Sequence, residues 1–333
     1  MKVLISLNLP MVKTKMKMKN NLFLYFLFLF VCSSCYRVSD KLEPKMDYTV
    51  EEKYLRNLES AFPVLSEEER KEDWGKELII AVAFAHQLDL YRALFSFKRA
   101  DILLPVSNVA RKLEIQYDIL LCYYFGKKYK DVLECFERSD LPHVDRTFPA
   151  FHDLLVILYE SYKATNQKEK TNQIYELIHQ SYTGTAERLS LSTALLKANF
   201  PEIRKMANTN PPREYLVEML RNYDREKKSV NKAQILNVFL PGAGYLYVGQ
   251  TRTAITAFTI NALFIAAAYH FFHKGHIAAG IITTSLETGW YFGGIYGAGE
   301  EAKYYNEQVY TKHTTSVMNQ KGLFPIFMIQ HAF

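Results

Sequence analysis

The sequence predicts a mainly α chain in which a helix-pair solenoid precedes a two-helix transmembrane hairpin. Three observations carry this expectation. Residues 48–226 hold few glycines, and their apolar residues recur at helical spacing. Aromatic and small residues repeat in that stretch every 39 positions. Two apolar runs follow, at 253–272 and 277–299, each long enough to cross about 30 Å of hydrocarbon. The chain divides accordingly into a leader (1–35), a helical-repeat domain (48–227), a membrane hairpin (233–306) and a tail (307–333).

The leader comes first in chain order. Residues 13–19 read KTKMKMK, residues 22–31 read LFLYFLFLFV, and CSSC follows. A basic segment, a short apolar segment and small residues are the parts of a secretory signal. Ten residues make about 15 Å of helix, half of what a bilayer requires. Ser33, Ser34 and Cys35 resemble the end of a bacterial lipoprotein signal, with Cys32 where such signals usually carry Leu. The resemblance implies that Cys35 is lipidated and opens the mature chain. Ordinary cleavage, an uncleaved anchor and a leader with no targeting role are the alternatives. The leader also dominates the charge. The whole chain of 333 residues carries a net +6, and Lys2, Lys13, Lys15, Lys17 and Lys19 lie before residue 35, where there is no acid. Taking those five from the 41 basic residues leaves 36 against 35 acidic ones, a balance that argues against nucleic-acid binding.

The middle of the chain is repetitive. Phe84, Tyr123 and Tyr162 stand 39 apart, as do Ala93, Val132 and Thr171, and Phe97, Phe136 and Tyr175. Within a unit the two aromatics fall on successive helices. The first unit, residues 74–105, reads WGKELIIAVAFAHQLDLYRALFSFKRADILLP. Its Ala81, Phe84, Ala93, Phe97, Ala100 and Pro105 resemble the tetratricopeptide repeat, in which small residues let two helices approach and aromatics fill the space between them. The resemblance implies stacked helix pairs and a face that binds another protein or a peptide. Leu120, Tyr123, Tyr129, Val132 and Phe136 carry the second unit, and Tyr159, Tyr162, Thr171 and Tyr175 the third. Tetratricopeptide units recur about every 34 residues, so longer loops between units are expected. Helices at 48–62, 186–206 and 213–227 are expected to cap the stack, with Pro211 and Pro212 breaking the chain before the last.

Residues 237–251, NVFLPGAGYLYVGQT, pose a choice between a phosphate loop and the entry to a membrane. A dinucleotide fingerprint needs a third glycine where Tyr247 stands, and a P-loop needs a lysine where Gln250 stands. The apolar runs that follow favour the membrane. Residues 253–272 contain no Asp, Glu, Lys or Arg, and Glu287 is the only such residue in 277–299. Tyr245 and Tyr247 suit the interface. Gly289, Gly293 and Gly297 recur every four residues and leave one helix face flat. Asn261 and Glu287 fall at similar depth, where a carboxyl must be neutral or paired; a hydrogen bond between them is one expectation. Pro241, Gly242, Gly244, Tyr247 and Gly249, together with Glu287, Gly289, Trp290, Gly293, Tyr296 and Gly297, resemble a bacterial membrane-hairpin family with the patterns LPGxGxxYxG and WYxGxIYGA that is found behind helical repeats. That resemblance implies architecture rather than an activity.

Other constellations point to no chemistry. His270, His273 and His276 read as interfacial side chains rather than a metal site, and no cofactor is expected. Cys122 and Cys135 lie on two helices of the second unit and read as free thiols, with a disulfide as the alternative. No nucleophile–base pattern is present, and the chain is not expected to be an enzyme. The expected function is an envelope scaffold anchored to the bilayer, with the repeat domain in the periplasm, that holds or helps assemble another envelope protein. The alternative is a component of a membrane transport or protein-insertion system in which the hairpin does the work. One charge pattern opposes the periplasmic placement. Arg221, Arg225, Lys227, Lys228 and Lys232 flank the hairpin while its turn carries Lys274, and positive charge favours the cytoplasmic side.

Overall fold

A computed structural model describes residues 38–46, 52–209 and 211–333. The leader and Cys35 lie outside the described residues. Among those that are described the chain is mainly α. No strand is formed, and one isolated parallel β-bridge joins Ser60 and Ala332. The described residues fall into two compact units, one within 43–225 and 310–333, the other within 38–42 and 226–309.

The first unit begins with α1 (Glu52–Arg56), which ends before position 62 of the helix expected over 48–62; residues 48–51 lie outside the described residues. Residues 57–68 leave helical form around the Ser60 bridge and Pro63, which cannot continue a helix. Then come α2 (Asp73–His86), α3 (Leu90–Leu103), α4 (Val109–Phe125), α5 (Tyr129–Arg138), α6 (Phe151–Ala164), α7 (Lys168–Ser181), α8 (Thr183–Leu196), α9 (Phe200–Ala207) and α10 (Glu214–Glu226). From α2 to α9 each helix packs on the next in sequence, and α4 also meets α6. Ala81, Ala85, Ala93 and Ala100 are fully buried, so α2 and α3 approach closely where no long side chain intervenes. Tyr117, Ile115, Leu120 and Leu121 of α4 and residues 154–158 of α6 are buried with them, and form the centre of the unit.

Four of the inter-helix turns share one construction. Leu88, Lys127, Asn166 and Ala198 take left-handed φ values of 59°, 55°, 60° and 47°. In each case the next N–H reaches back five residues: Asp89 to the Phe84 carbonyl (3.0 Å), Lys128 to Tyr123 (2.9 Å), Gln167 to Tyr162 (2.9 Å) and Asn199 to Ala194 (2.9 Å). The left-handed residue itself donates three residues back, from Leu88 to Ala85 at 2.8 Å and likewise in the others. This is a Schellman ending, which satisfies carbonyls that a helix end otherwise leaves orphaned. The next helix starts two residues on, in the first turn with Asp89 capping it by accepting from the Arg92 N–H at 3.2 Å. The first three turns keep the 39-residue spacing. The fourth, between α8 and α9, comes 32 residues later and makes a helix pair of what was expected to be a cap. Long connections are not general either. Residues 104–108 and 139–150 join the pairs, but Tyr182 alone joins α7 to α8.

In the second unit α11 (Val230–Phe239), α12 (Ala243–Val248) and α13 (Thr251–His273) follow one another, and a turn at 274–276 leads into α14 (Ile277–Gln320), whose residues from Tyr310 onward belong to the first unit. α14 is a single helix of 44 residues, about 66 Å long. The expected span at 277–299 is its first half, and residues 307–320 of the expected tail are its end. No proline or glycine interrupts the sequence between Gly299 and Gln320, so no backbone breaker stops the helix there. Val38, Val230, Ala233, Val248 and Ala302 form one buried cluster, with Tyr247 and Tyr305 against it. Tyr245, Ala254, Ala257 and Ala298 form another, which brings α12, α13 and α14 together.

Candidate functional site

The glycine stretch builds a helical corner. Gly242 takes φ +94°, and its N–H donates to Asn237 Oδ1 at 2.8 Å, which closes the turn from α11 to α12. A Cβ on Gly242 would strike the Ala254 carbonyl. One on Gly244 would strike the Ala233 carbonyl and lie 2.8 Å from Ala298 Cβ. The space over these glycines is therefore filled by the chain's own backbone, where a phosphate loop would need it open. Tyr247 accepts from the Ser229 N–H at 3.1 Å, and the ammonium groups of Lys228 and Lys232 lie 5.2 and 4.9 Å from its ring centre. Two cations of the basic flank are thus packed on an aromatic face. Asn306 clamps Lys228 at both its N–H (2.7 Å) and its carbonyl (2.8 Å).

Among the described residues one helix, α13, is long and apolar enough to cross a membrane, with a mean hydropathy of 1.6 over its most apolar window. Only 11% of that window is buried, and Ile255, Phe258, Leu263, Ile265 and Tyr269 are exposed. The first half of α14 exposes Ile281, Ile282, Leu286 and Trp290, but its threonines, Ser285 and Glu287 lower its hydropathy. Those hydroxyls turn inward. Thr283, Thr284, Ser285 and Thr288 each donate to the carbonyl four residues back at 2.8–2.9 Å, and Thr256 of α13 does so at 3.0 Å. The expected bond between Asn261 and Glu287 is not formed. Asn261 donates to the Ala257 carbonyl of its own helix at 2.6 Å, which leaves Asn261 Oδ1 and Glu287 Oε2 without hydrogen-bond partners among the described residues. A Cβ on Gly289 or Gly293 would meet nothing within 4 Å, and one on Gly297 would meet the Tyr245 hydroxyl. Trp290 is exposed, and Gly249 takes φ +99° where α12 ends. The expected flat face of three glycines is thus in contact at one.

The repeat residues take up core or inter-helix positions. Ala81, Ala93, Phe97 and Ala100 are fully buried and Tyr162 is buried, while Phe84, Tyr123, Phe136 and Tyr175 are half-buried. A cation lies over each member of the first aromatic column: Arg92 over Phe84 at 4.7 Å, Lys98 over Tyr123 at 5.4 Å and Lys170 over Tyr162 at 5.1 Å. Cys122 and Cys135 are free thiols. Burial pushes the Cys135 thiol up to about 11 and raises that of Cys122, so neither is a ready nucleophile.

The feature that sequence reasoning missed lies within the first unit. Residues 323–333, the end of the expected tail, fill a seat among the helix pairs, with Leu323, Phe324, Ile326, Met328, Ile329, Ala332 and Phe333 buried. The one-turn helix Pro325–Met328 packs on α6 and α8. Asp153, fully buried on α6, accepts from the Gln330 N–H (3.0 Å), the His331 N–H (2.9 Å), His331 Nδ1 (3.1 Å) and His152 Nδ1 (2.7 Å). Arg188 of α8 donates to the Gly322 carbonyl at 2.6 Å, and Ala332 N–H donates to the Glu59 carbonyl at 3.0 Å. Phe333 stacks on Phe97 with ring centres 5.9 Å apart and meets Phe125 edge-on at 5.7 Å. The signal was present in the sequence. Asp153 is a charged residue inside the apolar run FHDLLVILY, a placement that asks for a buried donor.

Searches against family models, curated proteins and solved structures find no match to this chain.

Proposed function

We propose that the chain is a membrane-anchored helical-repeat scaffold of a bacterial cell envelope that holds or helps assemble another envelope protein. The observation that carries the reading is α13. Its 23 residues present apolar side chains outward, and its polar Thr256 is bonded to its own backbone. A helix in water gains nothing from that arrangement, whereas in hydrocarbon every polar group must be satisfied internally. The four helix pairs with their shared turn support the second half of the reading, a tetratricopeptide-like solenoid whose surface recruits a partner. Lipidation of Cys35 would add a tether, and the leader would carry the repeats into the periplasm. The reading assigns the chain no catalytic role.

One observation favours a second reading, a transport or insertion component. Asn261 Oδ1 and Glu287 Oε2 are unsatisfied polar atoms in the apolar helix pair, and such groups mark pathways in membranes. Two measurements test the first reading. Leu263, 64% exposed near the middle of α13, is replaced by Arg, which costs about 2.5–3.5 kcal/mol at a helix centre in the bilayer. The wild-type chain is expected to resist alkaline extraction from membranes and Leu263→Arg to be released. Equal release of both would end the anchoring reading. Protease cleavage of the 74–178 region only after the outer membrane is opened supports the periplasmic placement, and protection until lysis refutes it.

A further inference from the structure

The seat of residues 323–333 has the properties of a binding site for a peptide. One carboxylate takes two successive backbone N–H groups and one imidazole. A backbone pairing at Glu59 and Ser60 follows, and an aromatic slot between Phe97 and Phe125 receives Phe333. The Tyr54 hydroxyl donates to the Phe327 carbonyl at 3.3 Å, and its ring meets Phe327 edge-on. These recognising groups lie on α1, α3, α4, α6 and α8 and on residues 59–60. None is on α14, the helix to which the segment is attached. The attachment itself is a Schellman turn at Gly322, φ +57°, closed by Leu323 N–H to the Met318 carbonyl at 2.7 Å.

We propose that this seat is a self-recognition site, through which two copies of the chain join by exchanging residues 323–333. The occupant is named by the structure, because the sequence that fits is the chain's own. In an exchanged pair every contact described above for the seat is remade with the same atoms, so the closed and exchanged forms differ in the turn at Gly322 and in the freedom lost when two copies join, which makes exchange concentration-dependent. A glycine there can leave the left-handed region without steric cost. The proposal stands whether or not α13 enters a bilayer.

The test uses full chains in detergent, carrying two different tags. One copy carries Phe333→Ala, which weakens its segment and keeps its seat. The other carries Asp153→Asn, which weakens its seat and keeps its segment. Mixed, they share one intact seat and one intact segment, and the two tags are expected to co-purify at least ~10-fold above either variant with itself. Wild-type copies with the two tags, co-expressed, are expected to co-purify in a way that Phe333→Ala in both abolishes. Failure of the mixed variants to associate, with circular dichroism showing both folded, overturns the proposal. If a variant does not fold, the wild-type pair decides. No co-purification, or co-purification that persists with Phe333→Ala in both copies, overturns it.

Discussion

Replacing Asp153 by Ala should loosen the whole first unit, and the structure gives the size. The carboxylate accepts four hydrogen bonds, and its partners do not lose equally when it goes. Gln330 is exposed and His331 is partly exposed, so water can recover much of what those donors lose. His152 is buried, and its Nδ1 faces the vacancy; an unsatisfied buried donor costs about 1–3 kcal/mol. Breaking a buried charged network by removing one member costs about 3–5 kcal/mol, and the expected loss falls in that range. For a domain of this size 1 kcal/mol moves the melting temperature by about 2–4 °C, so a fall of roughly 10 °C is expected. The assay is thermal unfolding in detergent followed by near-ultraviolet circular dichroism. A double-mutant cycle sharpens it. Phe333→Ala alone should cost about 3–5 kcal/mol by emptying the slot beside Phe97. If Asp153→Ala already releases the segment, the double variant should lose little more than the larger single loss. A shift below about 3 °C for Asp153→Ala, or strict additivity in the cycle, would refute the reasoning.

Three further outcomes follow from other sites. Lys127 is an exposed residue held at φ +55°, where a side chain costs about 1–2 kcal/mol, so Lys127→Gly should gain about 0.5–1 kcal/mol after the extra entropy of glycine is subtracted; a lower melting temperature would contradict it. Gly244→Ala forces a methyl against the Ala233 carbonyl and Ala298, and should cost about 2–3 kcal/mol, read as earlier proteolysis of residues 230–250; an unchanged digestion pattern would count against that packing. Asp118 is fully buried with Oδ1 unpartnered, and burial, with the Glu114 charge behind it, raises its carboxyl well above the usual range. The folded state then holds a proton that the unfolded state releases from about pH 4 upward, so this group makes stability fall as pH rises until its folded pKa is passed. Asp118→Asn should raise the melting temperature at pH 8 more than at pH 5, and an equal change at both would show that the carboxyl is not the cause.

Much of the helical scaffold was legible because its determinants are local. The column Phe84, Tyr123 and Tyr162 marks the residues whose carbonyls accept the long bond of each Schellman ending, so the period read from side chains is also the period of the turns. The fourth pair escaped notice because Ala194 stands where the aromatic would be and the spacing shrinks to 32 when Tyr182 alone connects α7 to α8. The second apolar run was read as a span ending near Gly299, whereas α14 runs on to Gln320; composition reported the change of environment but nothing in it ended the helix. The pairing of Asn261 with Glu287 was inferred from depth alone. Depth does not fix direction, and Asn261 found a carbonyl on its own helix at 2.6 Å. The sequence marks Asp153 as a buried acid that needs a donor, but it does not say which segment supplies one. Asp153 and His331 are 178 positions apart, and no periodicity links a buried acid to the backbone it will hold.

That separation has a consequence in time. Polypeptides are made at about 5–20 residues per second, so roughly 10–35 s pass between the synthesis of Asp153 and that of His331. Through that interval α2 to α9 can form, since their contacts lie between neighbours in sequence. The slot beside Phe97 and the carboxylate of Asp153 stay unfilled until residues 330–333 arrive. A nascent chain would therefore present the cleft before its own occupant exists, and on the exchange proposed above the completed segment of a neighbouring copy could enter it in that state. Slower elongation over residues 230–320 would lengthen the exposure without altering a single contact of the final fold.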